Sequence, residues 1–471
     1  MNANETRLTS GDIWQIGRLD AHDQAALVRS GQLTAIELVE AAILRIEQLD
    51  PVLNAITHRS FDSARERTSR MNAAGPLAGV PYLLKDGLDY RGMPSRCGSR
   101  SRAHSGNIGV DYEYTRRLDA AGLIPLGKTN VPEFGLLPTT ESVLYGPARN
   151  PWSLQHSPGG SSGGAAVAVA SGMVPVAHAA DGGGSIRIPA SCCGIFGLKP
   201  GRGRNVRARA HHVIEDLLVG DTLLSRTVRD AHWALGVTAP HAADLGGAHR
   251  KTSRRLRIAL VMNNLLGDAP HSEVMTAISR TAELCAKLGH AVEETTLPLD
   301  GPAVANSFRT LWGYLAAGIV ERAAAESQGR PMHELLEPWT LSMAQWSECL
   351  EPMDLEQALE QAVRASAGLG NLFTSYDVFL SPVLKTLPVE IGQLAPTRPF
   401  DALFHDMFEY VSYTPLQNLT GSPSMSVPLF FSIGGLPIGS MFTAARGGEA
   451  TLLDLAYEIE AANSWAGRWP P

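Results

Sequence analysis

Two serines sit inside glycine runs, Gly159-Gly160-Ser161-Ser162-Gly163-Gly164 and Gly182-Gly183-Gly184-Ser185, with Ser185 24 positions after Ser161. A lysine, Lys85, closes the apolar stretch Pro81-Tyr82-Leu83-Leu84, 76 positions before Ser161. Hydroxyls beside bare glycine backbone suit acyl transfer, which needs a nucleophile, a base that later returns its proton to the leaving group, and N–H donors for the oxyanion. Glycine runs cost backbone entropy unless a fold uses them for close approach or for unusual φ/ψ. A flexible Gly/Ser linker would be solvated throughout, whereas here the clusters flank the apolar run Ala165 to Val176 and lead straight into Ile186-Arg187-Ile188-Pro189.

Three other motifs compete for the chemistry. Gly159-Gly160-Ser161-Ser162-Gly163 fits the G-x-S-x-G nucleophile elbow, but Pro151 to Pro158 is not the β-branched strand that such an elbow follows. Gly122 to Thr129 satisfies the phosphate-loop pattern G-x-x-x-x-G-K-[ST]. Its variable positions, Leu-Ile-Pro-Leu, offer no row of free N–H groups, and Pro132 opposes the helix that should follow. Adjacent Cys192-Cys193 suggests a thiol nucleophile; buried small hydrophobes are the commoner role of cysteine.

The elements that must hold these groups follow from periodicity. Ala165 to Val176 reads as a buried helix leading into a strand near Val174 to Ala179, which puts both serine clusters at element ends, where rigid elements hold catalytic groups. Leu77 to Lys85 reads as an apolar strand. A lysine there is by itself a surface residue, and becomes a candidate base only in company with the serines; Asp86 is a structural acceptor. Leu19 to Asn54 is helical, with Thr34-Ala35-Ile36-Glu37 as a capping box, and Arg59 to Ala73 reads as a second, charged helix. Cys97 to Asp111 is irregular. Arg257 to Met262, Ser272 to Leu288 and Ala291 to Thr295 form a strand, helix, strand crossover. Pro302 to Gly370 is helical and carries Phe308, Trp312, Tyr314, Trp339 and Trp346, which alone read as helix-packing core, and Asp377 to Ser381 is a buried strand. Arg202 to Gly220, with Arg202, Arg204, Arg207 and Arg209, is either a loop over the site or a solvated turn.

Taken together, the paired serine clusters, the Leu84-Lys85-Asp86 setting and Asp181-Gly182-Gly183-Gly184-Ser185 resemble the amidase signature family over nearly the whole chain, Thr34 to about Pro470. Gly127-Lys128-Thr129-Asn130 with Glu133-Phe134 also resembles a family stretch that borders the site; Gly182 departs from the family, which commonly has a larger residue there. The resemblance implies an α/β fold with a large mixed β-sheet covered by helices on both faces, and a helical segment shaping the substrate pocket. The implied divisions are residues 1–75, an N-terminal helical region; 76–301, the catalytic core; 302–375, the pocket-shaping helices; and 376–471, the rest of the same core.

The resemblance also implies roles. Ser185 is the nucleophile, Ser161 the relay serine on a cis peptide bond, and Lys85 the base; Gly182, Gly183, Gly184 and Ser185 supply the oxyanion N–H groups. Ser162, Asp181 and Arg187 support these groups, and Trp312, Tyr314 and Arg209 are candidates for the pocket. A base lysine must be neutral, and moving its pKa from about 10.4 to about 7.5 takes roughly 4 kcal/mol of differential destabilisation, which burial can supply. The form Ala180-Asp181-Gly182-Gly183-Gly184-Ser185-Ile186-Arg187-Ile188-Pro189 is most similar to bacterial hydrolases of non-peptide amides: cyclic-amide oligomer hydrolases, aryl acylamidases and urethanases. Hydrolysis of aryl amides or carbamates through an acyl-enzyme is expected, with a glutaminyl amidotransferase subunit or an esterase of the same fold as alternatives.

Composition bounds the partners. The 471 residues carry 40 basic and 47 acidic side chains, net −7, so no footprint for nucleic acid is present. No window of about 18 apolar residues suggests a membrane span, and the N-terminal sequence has no basic and apolar regions of a secretory leader. Five cysteines without C-x-x-C spacing argue against disulfides and zinc. A cytoplasmic monomer or homodimer acting on a small amide or carbamate, without metal or cofactor, is the expectation.

Overall fold

The computed structural model describes residues 8–240 and 254–471. Its strands, in chain order, are β1 (Ile56–Arg59), β2 (Pro81–Lys85), β3 (Ile124–Thr129), β4 (Glu141–Ser142), β5 (Gly146–Pro147), β6 (Val176–Asp181), β7 (Gly197–Lys199), β8 (Gly220–Ser225), β9 (Arg257–Leu260), β10 (Ala291–Glu294), β11 (Val378–Pro382), β12 (Ser424–Phe431) and β13 (Pro437–Ala444). Two mixed sheets form, β1-β3-β2-β6-β8 and β10-β9-β11-β13-β12-β7, with β4 and β5 as a separate ribbon. The sheets meet where Phe196, just before β7, pairs with Ser225 at the end of β8: Phe196 N–H donates to the Ser225 carbonyl at 3.0 Å.

Alternate residues along the strands serve different cores, as the pleat requires. On β11, Phe379 joins a core built from helices Gly301–Glu326, Pro338–Ser347, Pro352–Ser375 and Phe400–Tyr410, while Val378 and Leu380 join one built from helices Val228–Thr238, Ser272–Lys287 and Glu449–Ala462. On β2, Leu83 faces helices Ala35–Leu53 and Gly163–Ala170, and Tyr82 and Leu84 face the opposite side with Tyr114 and Leu118. Helices therefore cover both faces of each sheet.

The capping box forms as expected: the Thr34 hydroxyl accepts from Glu37 N–H at 3.3 Å and Glu37 accepts from Thr34 N–H at 2.8 Å. The charged helix begins later than its sequence suggests. Ile56–Arg59 is strand β1, antiparallel to β3, because the Asp50 carboxylate holds the N–H groups of Ala55 (2.7 Å) and Ile56 (3.0 Å) and the Arg59 guanidinium (2.9 Å). Helix then runs only from Phe61 to Thr68. β2 starts at Pro81 rather than Leu77, since Leu77 to Val80 forms a turn through Gly79 at φ +82°. The phosphate-loop pattern folds as buried strand β3, and Lys128 spends its ammonium on the Leu88 carbonyl and the Ser95 hydroxyl.

Candidate active site

β2 delivers Lys85 as its last residue. The Lys85 Nζ lies 2.7 Å from Ser161 Oγ and donates to the Ala180 carbonyl of neighbouring β6 at 3.1 Å. Burial lowers the Lys85 pKa to about 7; the Arg209 guanidinium pushes the same way, against the carboxylates of Asp221 and Asp181.

Ser161 is fixed by backbone packing that only glycine allows. A Cβ on Gly160 would stand 2.5 Å from the Thr139 carbonyl oxygen. The Gly160–Ser161 peptide bond is cis. The Thr140 hydroxyl donates to the Gly159 carbonyl at 2.9 Å and accepts from Gly163 N–H at 3.2 Å, locking the turn into helix Gly163–Ala170. Ser162 Oγ donates to the Ala180 carbonyl at 3.3 Å, so Ser162 and Lys85 converge on one carbonyl of β6, with Ser161 held on Lys85.

The second cluster follows the end of β6. Asp181, fully buried, accepts from Gly184 N–H (2.7 Å), Ile186 N–H (3.2 Å), Arg187 Nε (2.8 Å) and Nη2 (2.9 Å), and Asn418 Nδ2 (2.9 Å). Burial works against the ionised carboxyl, yet Arg187 and these donors hold it well below the usual range. Asp181 and Arg187 thus shape the loop. Gly184 requires correction: its N–H is taken by Asp181, so it is no oxyanion donor. Its φ of +136° and the nearness of Thr414 and Ile188 explain the glycine instead. The N–H groups of Gly182, Gly183 and Ser185 have no acceptor among the described residues.

A small apolar cavity of about 30 Å³ opens against Ser185, lined by Gly183, Leu136, Leu137, Pro138, Ile188, Phe308, Trp312, Met407 and Val411 among others. Trp312 is anchored by its indole N–H on the Leu136 carbonyl at 3.1 Å and stacks on Phe308 with ring centres 5.1 Å apart. Tyr314, by contrast, is not in the pocket. Two residues on, it sits on another side of helix Gly301–Glu326, where its hydroxyl donates to the Glu351 carbonyl at 3.3 Å. Arg209 is also outside the cavity lining, because Asp221 and Glu215 hold its guanidinium behind Lys85. The cysteine pair is inert: burial pushes Cys192 up to about 12, and raises Cys193 as well. A larger cavity of about 530 Å³, between Trp14, Trp152 and Trp469, contains none of the candidate residues.

Sequence reasoning missed three supports. The Thr414 hydroxyl donates to the Gly183 carbonyl at 2.7 Å, and Gln417 and Asn418 accept from the Arg187 guanidinium at 2.8 and 2.7 Å. Two adjacent amides, Gln417 and Asn418, inside the otherwise apolar run Leu416 to Leu419 were the available signal.

Known proteins match this chain over most of its length. The sequence profile of the family described as Amidase matches residues 37–453. The 6-aminohexanoate-cyclic-dimer hydrolase of Paenarthrobacter ureafaciens is 34% identical, covering 98% of this chain and 97% of that protein. A structure of 6-aminohexanoate cyclic dimer hydrolase complexed with substrate superposes with a TM-score of 0.89 at 31% identity, over 96% of this chain and 99% of that one. A bacterial aryl acylamidase of the amidase signature enzymes gives 0.85 at 27% identity, over 96% and 99%.

Proposed function

Because the chain belongs to the amidase signature family of amide C–N hydrolases, we propose that it cleaves small aryl amides and carbamates through a Ser185 acyl-enzyme. The observation that carries this is the buried Lys85 amine, 2.7 Å from the Ser161 hydroxyl beside the glycine-rich Ser185 loop. Neutral Lys85 accepts a proton from Ser161, which accepts one from Ser185 as that oxygen bonds to the carbonyl carbon. The N–H groups of Gly182, Gly183 and Ser185 serve the oxyanion, each donor being worth about 2.7–4 kcal/mol in comparable sites. The proton then returns through Ser161 to the departing nitrogen, and water releases the acyl group of an amide, or the alkoxycarbonyl group of a carbamate as a carbonic half-ester that breaks down to alcohol and carbon dioxide, by the same relay.

Trp312, Phe308, Leu136 and Met407 form an apolar wall beside Ser185, which favours flat, uncharged groups. The aryl acylamidase among the similar structures supports that class. A carbamate differs by one ester-type oxygen beside the carbonyl, so its tetrahedral species has nearly the same shape and can use the same donors. The test is mass spectrometry of an anilide and of a dicarbamate of an aromatic diamine incubated with the enzyme and with Ser185→Ala. Free amine is expected only with Ser185 present. Hydrolysis confined to aliphatic primary amides, or to p-nitrophenyl esters, would overturn the substrate class.

A further inference from the structure

Behind Lys85 lies a buried polar cluster that the relay does not use. Asp221 on β8 is the cross-strand partner of Ala180, whose carbonyl accepts from Lys85. Its carboxylate oxygen Oδ1 contacts His178 Nε2 at 3.1 Å and accepts from Arg209, which also lies 3.9 Å from Glu215. His178 and Asp221 are 1% and 5% exposed.

The charges facing Lys85 can be taken in turn. Asp181, on β6, is neutralised by its paired Arg187. Cys97, in the loop after β2, is kept a neutral thiol because burial raises its pKa to about 11. His178 has a buried Nδ1 without a partner and packs edge-on to Tyr114 at 5.5 Å, an environment that burial makes hostile to the imidazolium. Asp221 remains: held well below the ordinary carboxylate range against its burial, chiefly by Arg209, it is an anion on β8, directly across from the Ala180 of β6 whose carbonyl Lys85 binds. An unopposed anion there would favour the ammonium form of Lys85, which cannot accept a proton.

We infer that Arg209 is a positioning residue of the hydrolysis: held on Asp221, its guanidinium cancels that carboxylate's pull on Lys85 and keeps the amine free to act as base. This rests on the reading of Lys85 as the base. It also gives the segment between Gly201 and Gly220 a part in the reaction, since Arg209 approaches Asp221 from that segment. Tyr114 N–H donates to the Arg207 carbonyl at 3.1 Å and Val206 N–H to the Thr238 carbonyl at 2.7 Å, fastening the segment where Arg209 needs it.

The experiment is the pH dependence of kcat/KM for wild type, Arg209→Met, Arg209→Lys, Asp221→Asn, the Arg209→Met/Asp221→Asn pair and Lys85→Ala. Arg209→Met is expected to move the ascending limb to higher pH by about one unit or more, and Asp221→Asn to move it lower, as loss of a like or an opposite charge demands. Arg209→Lys keeps a cation and should stay near wild type, and the double variant should return toward it. Limbs that coincide in Arg209→Met and Asp221→Asn, with only a pH-independent loss of rate, would overturn the inference while leaving Lys85 as base. Full activity in Lys85→Ala would instead overturn the reading on which it rests.

Discussion

Gly182 and Gly183 adjoin in the chain, yet the space around them differs. A Cβ on Gly182 would meet Val219 and Trp312 at 3.4 and 3.7 Å, ordinary contact, whereas one on Gly183 would stand 2.6 Å from the Phe308 ring. Phe308 cannot retreat freely, being stacked on Trp312 and edge-on to Phe408. Gly183→Ala should therefore drive Phe308 toward the cavity and shift an oxyanion N–H, lowering kcat/KM by about 10²-fold, the scale of one lost donor. Gly182→Ala should change it only a few-fold, in KM, because its methyl lands on Trp312. Steady-state kinetics of both variants, with circular dichroism to verify folding, checks this; equal losses would refute it. The resemblance marked Gly182 as a departure from the family, and the open space at that position is the physical reason a larger residue is admissible there.

At the scale of elements, the pocket depends on how the turn Glu133–Gly135 meets helix Pro338–Ser347. Two buried carboxyls make the joint. Glu133 accepts from Ser99 Oγ at 2.7 Å, Glu337 N–H at 2.8 Å and Thr340 Oγ1 at 2.5 Å; Glu337 accepts from Val143 N–H at 2.6 Å. Burial, then the Glu133 charge, raises Glu337 to about 8, so it is protonated in the fold at neutral pH. An acid whose folded pKa lies above its unfolded value favours the fold below the unfolded pKa, and this contribution is lost as pH rises to the folded one. For Glu337 the window runs from about 4.5 to about 8. Glu337→Gln has no such loss, so its melting temperature relative to wild type should rise across that window and level off above it. A constant difference would place the titration elsewhere. Nothing in the sequence paired these residues, which are 204 positions apart; Glu133 lay in a recognisable stretch, but Glu337 was one acid among 47.

For the whole molecule, legibility followed the range of the interactions. Lys85, Ser161 and Ser185 stood out as candidates because glycine runs and an apolar approach are local signals, while Gln417 and Asn418 support Arg187 from more than 200 positions away. Helices with strong periodicity were evident. The junction of the two sheets was not, because Gly197–Lys199 is too short to show alternation and Phe196 pairs with Ser225 alone. What braces that junction is the C-terminal segment. Trp465, 1% exposed, stacks on Phe196 at 6.3 Å and donates its indole N–H to the Arg226 carbonyl at 2.8 Å, while Arg226 reaches back to the Ala466 carbonyl at 3.1 Å and lies 3.6 Å over the Trp469 ring. One side chain therefore touches both sheets at their seam, and helix Gly163–Ala170 is tied in through Arg226 on the Ala170 carbonyl at 3.4 Å. Trp465→Ala removes the stack, the indole bond and a large buried volume together, a loss of about 3–5 kcal/mol for a core aromatic. Denaturant unfolding followed by the fluorescence of the other seven tryptophans should show the midpoint fall by that energy divided by the slope, with the slope unchanged, if the sheets unfold as one unit. A split into two transitions with shallower slopes would mean that Trp465 is what makes them one. An unshifted midpoint would show that the seam holds without it.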